Sequence, residues 1–514
     1  MFTIKGKTGE WEVVIGLETH IEVLSKSKLF SGASADYNPG VAPNTQVSFV
    51  DAAMPGMLPV LNRECVRQAI KMGLGLNAEI SRRSSFARKQ YFYPDLPQGY
   101  QISQPAEEPP VVGRGWVEIT GDNGAPKRIL VQRAHLEQDA GKNKHDANPT
   151  KTFTDLNRSG VALLEIVSFL DPAVSTPDQF ITSPDEAEKY LREIRSIARA
   201  LGVSNANMEE GSMRADVNVS VRPAGEGGFR TRTETKNMVS FKFIKTAIEY
   251  EARRQIEIYE AGGLVSQDTM HYNQADGTTS VMRSKEDALD YRYFPDPDLL
   301  PLVIADDEIE GVRASMPELP AARKKRYAAM GVAAIDAERI GEDKDLYEYF
   351  DLVMSAPTQD SLGNKLPSES IPPPQAGAGK VVANWMLGDL AAHPEYSMPP
   401  AHLAELADMI LADEISSKNA KDIFGKMLDG EQGGPDAGCG PREIADKYNF
   451  KQSTDVGAVE VAVDKVIAKN ADSVAQYRAG KTGLLGFFVG GVMKATGGTA
   501  NPKVVNEVLR KKLG

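Results

Sequence analysis

The sequence predicts an α+β protein with an antiparallel-sheet domain over residues 1–304, a helical domain over 305–441 and a small helical tail over 442–514. Three observations carry this reading. Before residue 240, several stretches alternate apolar and polar residues with period two, the mark of strands with one buried face. From about Asp306 the spacing becomes helical, as in AARKKRYAAMGV, YEYFDLVMSA and KVVANWMLGDLAAH. Finally, DGEQGGPDAGCGP, residues 429 to 441, has the composition of a mobile linker and sets off a small module. A chain of 514 residues suits roughly three domains.

The first strand is VVIGLETHIEV, residues 13 to 23. Val13, Ile15, Leu17, Ile21 and Val23 share one parity, and Glu18, His20 and Glu22 share the other. Two carboxylates and an imidazole on one pleated face can hold a metal ion or move a proton. A solvated face of an antiparallel sheet gives the same pattern.

Residues 30–56 form a Pro/Gly-rich loop, and Cys65 to Leu76 has a helical stripe. KQYFYPDLPQGYQISQ, residues 89 to 104, sets four aromatics beside two prolines and a glycine. Such a loop can stack a nucleobase or anchor itself on a core. A hairpin follows around Asp122-Asn123-Gly124, and then His135, Glu137 and Asp139 at period two. VALLEIVSF, residues 161 to 169, is a nearly continuous apolar strand interrupted by Glu165. A lone buried carboxylate is costly, so Glu165 must have a partner or a task.

Ser183-Pro184-Asp185-Glu186 opens a helix with a capping box and Pro at its first position. The next hairpin has a polar face of Arg214, Asp216, Asn218, Ser220 and Arg222, answered by Arg230, Arg232, Glu234 and Lys236. A helix from about Phe241 to Ala261 ends at Gly262-Gly263, and residues 282–302 add Arg283, Lys285, Asp290 and Arg292.

The acidic and imidazole groups gathered this way are Glu18, His20, Glu137, Glu165, Asp216 and Glu234. The cations include Arg214, Arg232, Lys236 and Arg283. Carboxylates hold Mg²⁺, Mg²⁺ bridges phosphates, and Arg and Lys neutralise a transferring phosphoryl group. An antiparallel sheet with a polar face can therefore host ATP and Mg²⁺ without a Gly-rich loop. The Gly-Lys-Thr at residues 480 to 482 is no P-loop, because Ala475 stands where the leading glycine belongs and no strand precedes it.

Composition narrows the classes. Net charge is −12, which argues against a uniformly basic nucleic-acid binder, yet from Ser473 the tail is basic. The two cysteines, Cys65 and Cys439, exclude a disulfide framework and a four-Cys zinc site. No 18-residue apolar run occurs, and a soluble, cytoplasmic protein with no membrane partner is expected. No activated Cys or Ser motif is present, so release of ammonia from glutamine is not expected of this chain.

The ordered set IGLETHIEV, YFYPDLPQGYQISQ, HLEQDAGK, DLNRSGVALLEIVS, MEEGSMRADVNVSVRP, TETKNMVSFKFIKTAIEYE and DYRYFPDPDLLPL resembles the B subunit of the bacterial tRNA-dependent aspartyl/glutamyl amidotransferases. The tail, KTGLLGFFVGGVMKATGGTANPKVVNEVLRKKL, is similar to that family's YqeY-like domain. The resemblance implies a cradle domain related to the catalytic sheet of glutamine synthetase. It also implies that ATP phosphorylates the side-chain carboxylate of Glu-tRNA(Gln) or Asp-tRNA(Asn), and that ammonia then displaces the phosphate. The implied partners are a glutaminase A subunit, a small C subunit and the tRNA, which the tail contacts.

By position, the resemblance makes Glu18, His20, Glu165 and Glu234 catalytic and metal-binding. Glu137 or the next position joins them, and Asp216 and Lys236 lie beside them by strand parity. Where the family usually has Glu-Glu-Asp, this chain has Glu137-Gln138-Asp139. Where many members carry four zinc-binding cysteines, it has Ser31, Ala33, Ser48 and Asp51, so no zinc is expected. Residues 169–182 look like an insertion. A stand-alone glutamine-synthetase-like ligase and a non-catalytic RNA-binding scaffold are the competing readings.

Overall fold

The computed structural model describes all residues except 1, 38–39, 106, 145–147, 149, 169–175, 284–290, 356–376, 453–455 and 497–499. Asp290, Lys285 and the first half of the expected insertion lie outside the described residues. The chain forms two compact units, residues 1–321 and 322–514.

The first unit is built on strands β1 (Thr3–Lys5), β2 (Glu10–Glu22), β3 (Arg83–Ser84), β4 (Ala87–Gln90), β5 (Tyr100–Ser103), β6 (Gly115–Thr120), β7 (Pro126–Gln138) and β8 (Lys142–Lys144). It continues with β9 (Phe153–Asp155), β10 (Ala162–Ser168), β11 (Met213–Pro223), β12 (Thr233–Met238), β13 (Thr269–Asn273), β14 (Thr278–Arg283), β15 (Phe294–Pro295) and β16 (Leu302–Val303). Twelve of them form one sheet in the order β14-β13-β12-β11-β2-β10-β7-β5-β4-β15, with β1 on β2 and β6 on β7. Its strands pair antiparallel except β12 with β13, which run parallel and are joined through a helix, as parallel strands require.

Three helices, α1 (Arg63–Gly75), α2 (Pro184–Ala200) and α3 (Phe241–Glu260), supply the apolar side of the core. Ser183 caps α2 through its Oγ, which accepts from the Glu186 amide at 3.0 Å. Val13, Ile15, Leu17 and Ile21 of β2 join Tyr190, Leu191 and Ile194 of α2 and Ile244 and Ile248 of α3 in one buried cluster. Each such side chain contributes about 1.5–3 kcal/mol when fully buried. The strand alternation then fixes Glu18, His20 and Glu22 on the opposite face.

The second unit is helical, with one apolar cluster from Tyr327 to Ala445 and another from Val459 to Leu513. The segment expected to be a mobile linker, residues 429 to 441, is folded instead. Asp436 is buried and accepts from Lys447 Nζ at 2.6 Å and Tyr448 Oη at 2.9 Å. Ile444 and Ala445 also pack into the first cluster, so the break between clusters falls after them, beyond residue 441. Glycine and proline content reported the tight turns of this segment and missed its buried carboxylate. Among the described residues, no helix is long and apolar enough to cross a membrane.

Candidate active site

Register assembles the site. On β2, His20 stands opposite Glu165 of β10, and Glu165 stands opposite His135 of β7. Opposed residues share a face, and Glu137, two residues beyond His135, falls on it too. His20 Nε2 lies 3.3 Å and His135 Nε2 3.4 Å from the same Glu165 oxygen. The Glu137 carboxylate is 4.0 Å from His20 and 3.9 Å from His135. One ligand atom from each of His20, Glu137 and Glu165 falls within 4.8 Å of the others.

A second cluster adjoins it. Glu18 faces Asp216 of β11, and Glu234 of β12 faces Asn218 on the next rung. Glu18, Asp216 and Glu234 also bring ligand atoms within 4.8 Å of one another. Lys236 Nζ donates to Asp216 and Glu234 at 2.8 Å each, and Asn218 Nδ2 donates to Glu18 at 3.2 Å.

Burial without enough cations shapes the electrostatics. Burial, then the charges of Glu165, Glu234 and Asp216, push the Glu18 carboxyl up to about 7. Burial disfavours the His20 imidazolium, but its bond to Glu165 and the surrounding carboxylates outweigh that and raise it to about 9. Glu165 resists burial through His135 and His20, which hold it well below the usual carboxylate range. Burial lowers His135, against the pull of the Glu165 and Glu137 carboxylates. Burial also opposes the Lys236 charge, yet Asp216 and Glu234 raise it above an ordinary lysine. Among the described residues, Nδ1 of both histidines is buried without a hydrogen-bond partner.

The six acidic and imidazole candidates thus converge on one face, and Lys236 stands among them. The other cations lie differently. Arg214 Nη2 donates to Asp139 at 3.0 Å. Arg232 is exposed just before β12, and Arg283 ends β14, two strands farther out. At the Glu137-Gln138-Asp139 step, Glu137 faces the cluster. Gln138 turns away and lines a cavity of about 330 Å³ with Phe30 and Ile102. The amide therefore displaces no acid from this cluster. Around Ser31 and Ser48, Asp51 accepts from Lys28 Nζ at 3.1 Å, Ser31 Oγ at 3.2 Å and the Ser48 amide at 2.8 Å.

Two residues at the site were not among the candidates gathered from the sequence. His135 carried a signal, its period-two spacing from Glu137. Lys89 carried none. Its ammonium lies 5.0 Å from the Tyr291 ring centroid and 5.9 Å from that of Tyr91. Burial opposes its charge, but Glu137 and other neighbours raise it.

Residues 13–310 match the GatB/GatE catalytic domain, and residues 375–513 match the GatB domain. The chain is 50% identical to the B subunit of the aspartyl/glutamyl-tRNA(Asn/Gln) amidotransferase of Acidiphilium cryptum (strain JF-5), covering 100% of this chain and 99% of that one. It is 48% identical to the protein of the same name from Paramagnetospirillum magneticum (strain ATCC 700264 / AMB-1), over 100% and 99%. Against the Sinorhizobium fredii (strain NBRC 101917 / NGR234) protein of that name, identity is 50% over 99% and 97%. On end-to-end identity of this order and two matching domain families, the chain belongs to the family of aspartyl/glutamyl-tRNA(Asn/Gln) amidotransferase B subunits.

Proposed function

We propose that the carboxylate–imidazole face of the sheet is where this amidotransferase component phosphorylates and amidates its substrate. Family membership makes the chain the B subunit of a tRNA-dependent amidotransferase, a glutamine-dependent ligase. It works with A and C subunits on Glu-tRNA(Gln) and Asp-tRNA(Asn). The finer reading is that an oxygen of the aminoacyl side chain attacks the γ-phosphorus of ATP and ADP leaves. Ammonia from the partner glutaminase then attacks the acyl phosphate, phosphate leaves, and a nitrogen-bound proton passes to a nearby base.

The donor set fits a divalent ion. Glu18, Asp216 and Glu234 offer oxygen alone, which suits Mg²⁺, and His20, Glu137 and Glu165 offer mixed nitrogen and oxygen. Bound there, Mg²⁺ would neutralise phosphate charge. His20 gives up its proton before it can ligate. Lys236 sits where it can hold a phosphate oxygen, with Arg232 and Arg283 as outer cations. Arg214 acts through Asp139, as a positioning residue.

The observation that carries this reading is the convergence of six groups from β2, β7, β10, β11 and β12 on one face. The kinship with glutamine synthetase's sheet belongs to the same proposal. So do cytoplasmic location and a three-part division into 1–304, 305–441 and 442–514.

The test uses the assembled heterotrimer with ATP, Glu-tRNA(Gln) and ammonium chloride in place of glutamine. Glu18→Gln and Glu234→Gln should abolish ADP formation while tRNA binding survives. Full ADP formation in both variants, or turnover of free glutamate in place of charged tRNA, would overturn the reading.

A further inference from the structure

We propose that an aromatic platform at the β4 end of the sheet stacks the 3′-terminal adenine of the charged tRNA, a subsite that rests on the function proposed above. Two segments distant in sequence, 91–93 and 291–294, meet because β15 pairs with β4, with Phe294 opposite Arg88. Their rings pack edge to face in a chain: Tyr93 on Tyr91 at 5.7 Å, Tyr91 on Tyr291 at 6.0 Å, and Tyr291 on Tyr293 at 6.3 Å. Phe92 and Tyr93 are exposed at 84% and 52%.

The loop that carries Phe92 and Tyr93 is held by its own backbone bonds. The Phe92 ring lies over Gly99, where an added Cβ would come within 3.0 Å of it, and Gly99 has a φ of +72°. The backbone of this turn favours glycine through that positive φ. The loop is tied by Tyr91 N to Gly99 O at 3.2 Å, Leu96 N to Tyr93 O at 3.0 Å and Gly99 N to Leu96 O at 2.9 Å. Leu96 is buried and anchors it. Phe92, Tyr93, Tyr293 and Phe294 together leave aromatic surface in water, which marks a binding surface.

Position selects the ligand. β4 lies two strands from β7, roughly 10 Å across the sheet, and Lys89 on β4 faces the Tyr rings and the Glu137–Glu165 cluster. A charged tRNA carries its amino acid on the terminal adenosine of a single-stranded end. Such ends are read by stacking on aromatic side chains. An adenine on Phe92 and Tyr93 directs the ester and its side-chain carboxylate past Lys89 toward the cluster. The adenine of ATP fits less well. Lys236, the cation among the carboxylates, is on β12, six strand spacings from β4 and roughly 29 Å along the sheet.

The experiment has a binding arm and a turnover arm, both on the heterotrimer. Binding of uncharged tRNA is compared with that of the same tRNA trimmed of its terminal adenosine. Trimming should weaken binding to the wild type about tenfold, since a stacked base contributes about 1–3 kcal/mol. Phe92→Ala should remove the difference, and Phe92→Trp should restore it. With ammonium as donor, Phe92→Ala should raise KM for charged tRNA about tenfold and leave KM for ATP within twofold. Equal binding of trimmed and intact tRNA by the wild type overturns the proposal. So does a raised KM for ATP, which would place the nucleotide's adenine there, or loss of the heterotrimer in Phe92→Ala, which would place a partner chain there. The binding arm needs no turnover. If the wild type forms no ADP yet senses trimming, the proposed chemistry fails and the platform stands.

Discussion

His20 and Glu165 are register partners on adjacent strands, with Nε2 and Oε2 3.3 Å apart. The same Glu165 oxygen lies 3.4 Å from His135 on the far side. One carboxylate, set in an otherwise apolar strand, therefore serves two imidazoles. Its charge is sustained by them, and the His20 imidazolium is sustained in turn by it.

Glu165→Gln keeps the shape and removes that charge. ADP formation by the heterotrimer should fall on the order of 100-fold or more, the usual cost of losing a placed electrostatic contact at a reacting centre. Activity within threefold of wild type would remove Glu165 from the site.

Lys236→Met releases Asp216 and Glu234 from a shared ammonium. KM for ATP should rise about tenfold, as expected for loss of a charge-assisted hydrogen bond of about 1.5–3 kcal/mol. tRNA affinity, read by filter binding, should not move. An unchanged KM for ATP would leave Lys236 a purely structural bridge.

Asp51→Asn should destabilise the first unit by about 3–5 kcal/mol, because it strands the buried Lys28 ammonium. The double replacement Lys28→Met with Asp51→Leu should recover most of the loss. Denaturant midpoints of the three proteins decide this, and equal midpoints for Asp51→Asn and wild type would contradict it.

Glu251 gives the fold a defined acid limit. Burial opposes its charge, but Arg254 at 2.6 Å, Gln255 at 3.0 Å and Thr233 at 2.7 Å hold it below its ordinary 4.5. A depressed carboxyl adds stability that is present above about 4.5 and is lost as pH falls through the folded value. The thermal midpoint should therefore drop below pH 4.5, and Glu251→Gln should flatten that slope while lowering stability at neutral pH. Parallel slopes in the two proteins would refute the assignment.

The sheet was readable because its code is local. In β2, period two alone separates Val13, Ile15 and Leu17 from Glu18 and His20. Ser183 and Gly262 punctuated their helices by the same short-range logic. What the sequence hid was pairing. Nothing near Lys89 announces Tyr291, and nothing near Arg214 announces that Asp139 takes its guanidinium, because register between strands far apart in sequence brings them together. The turn-rich segment at residues 429–441 misled for a related reason. Its composition describes backbone conformation, and the burial of Asp436 is decided by helices on either side.

The central position of β2 has a further consequence, for synthesis rather than catalysis. β1 pairs with its first residues, but its long partners are β10 and β11, so Glu18 meets Asp216 only after some two hundred more residues have been made. At about 5–20 residues per second, the edge of β2 that β11 covers waits roughly ten to forty seconds for its partner. An apolar strand with an open edge is prone to aberrant pairing until that partner arrives. Glu18 and His20 are among the first residues translated, and the clusters they join are complete only once β12 has emerged.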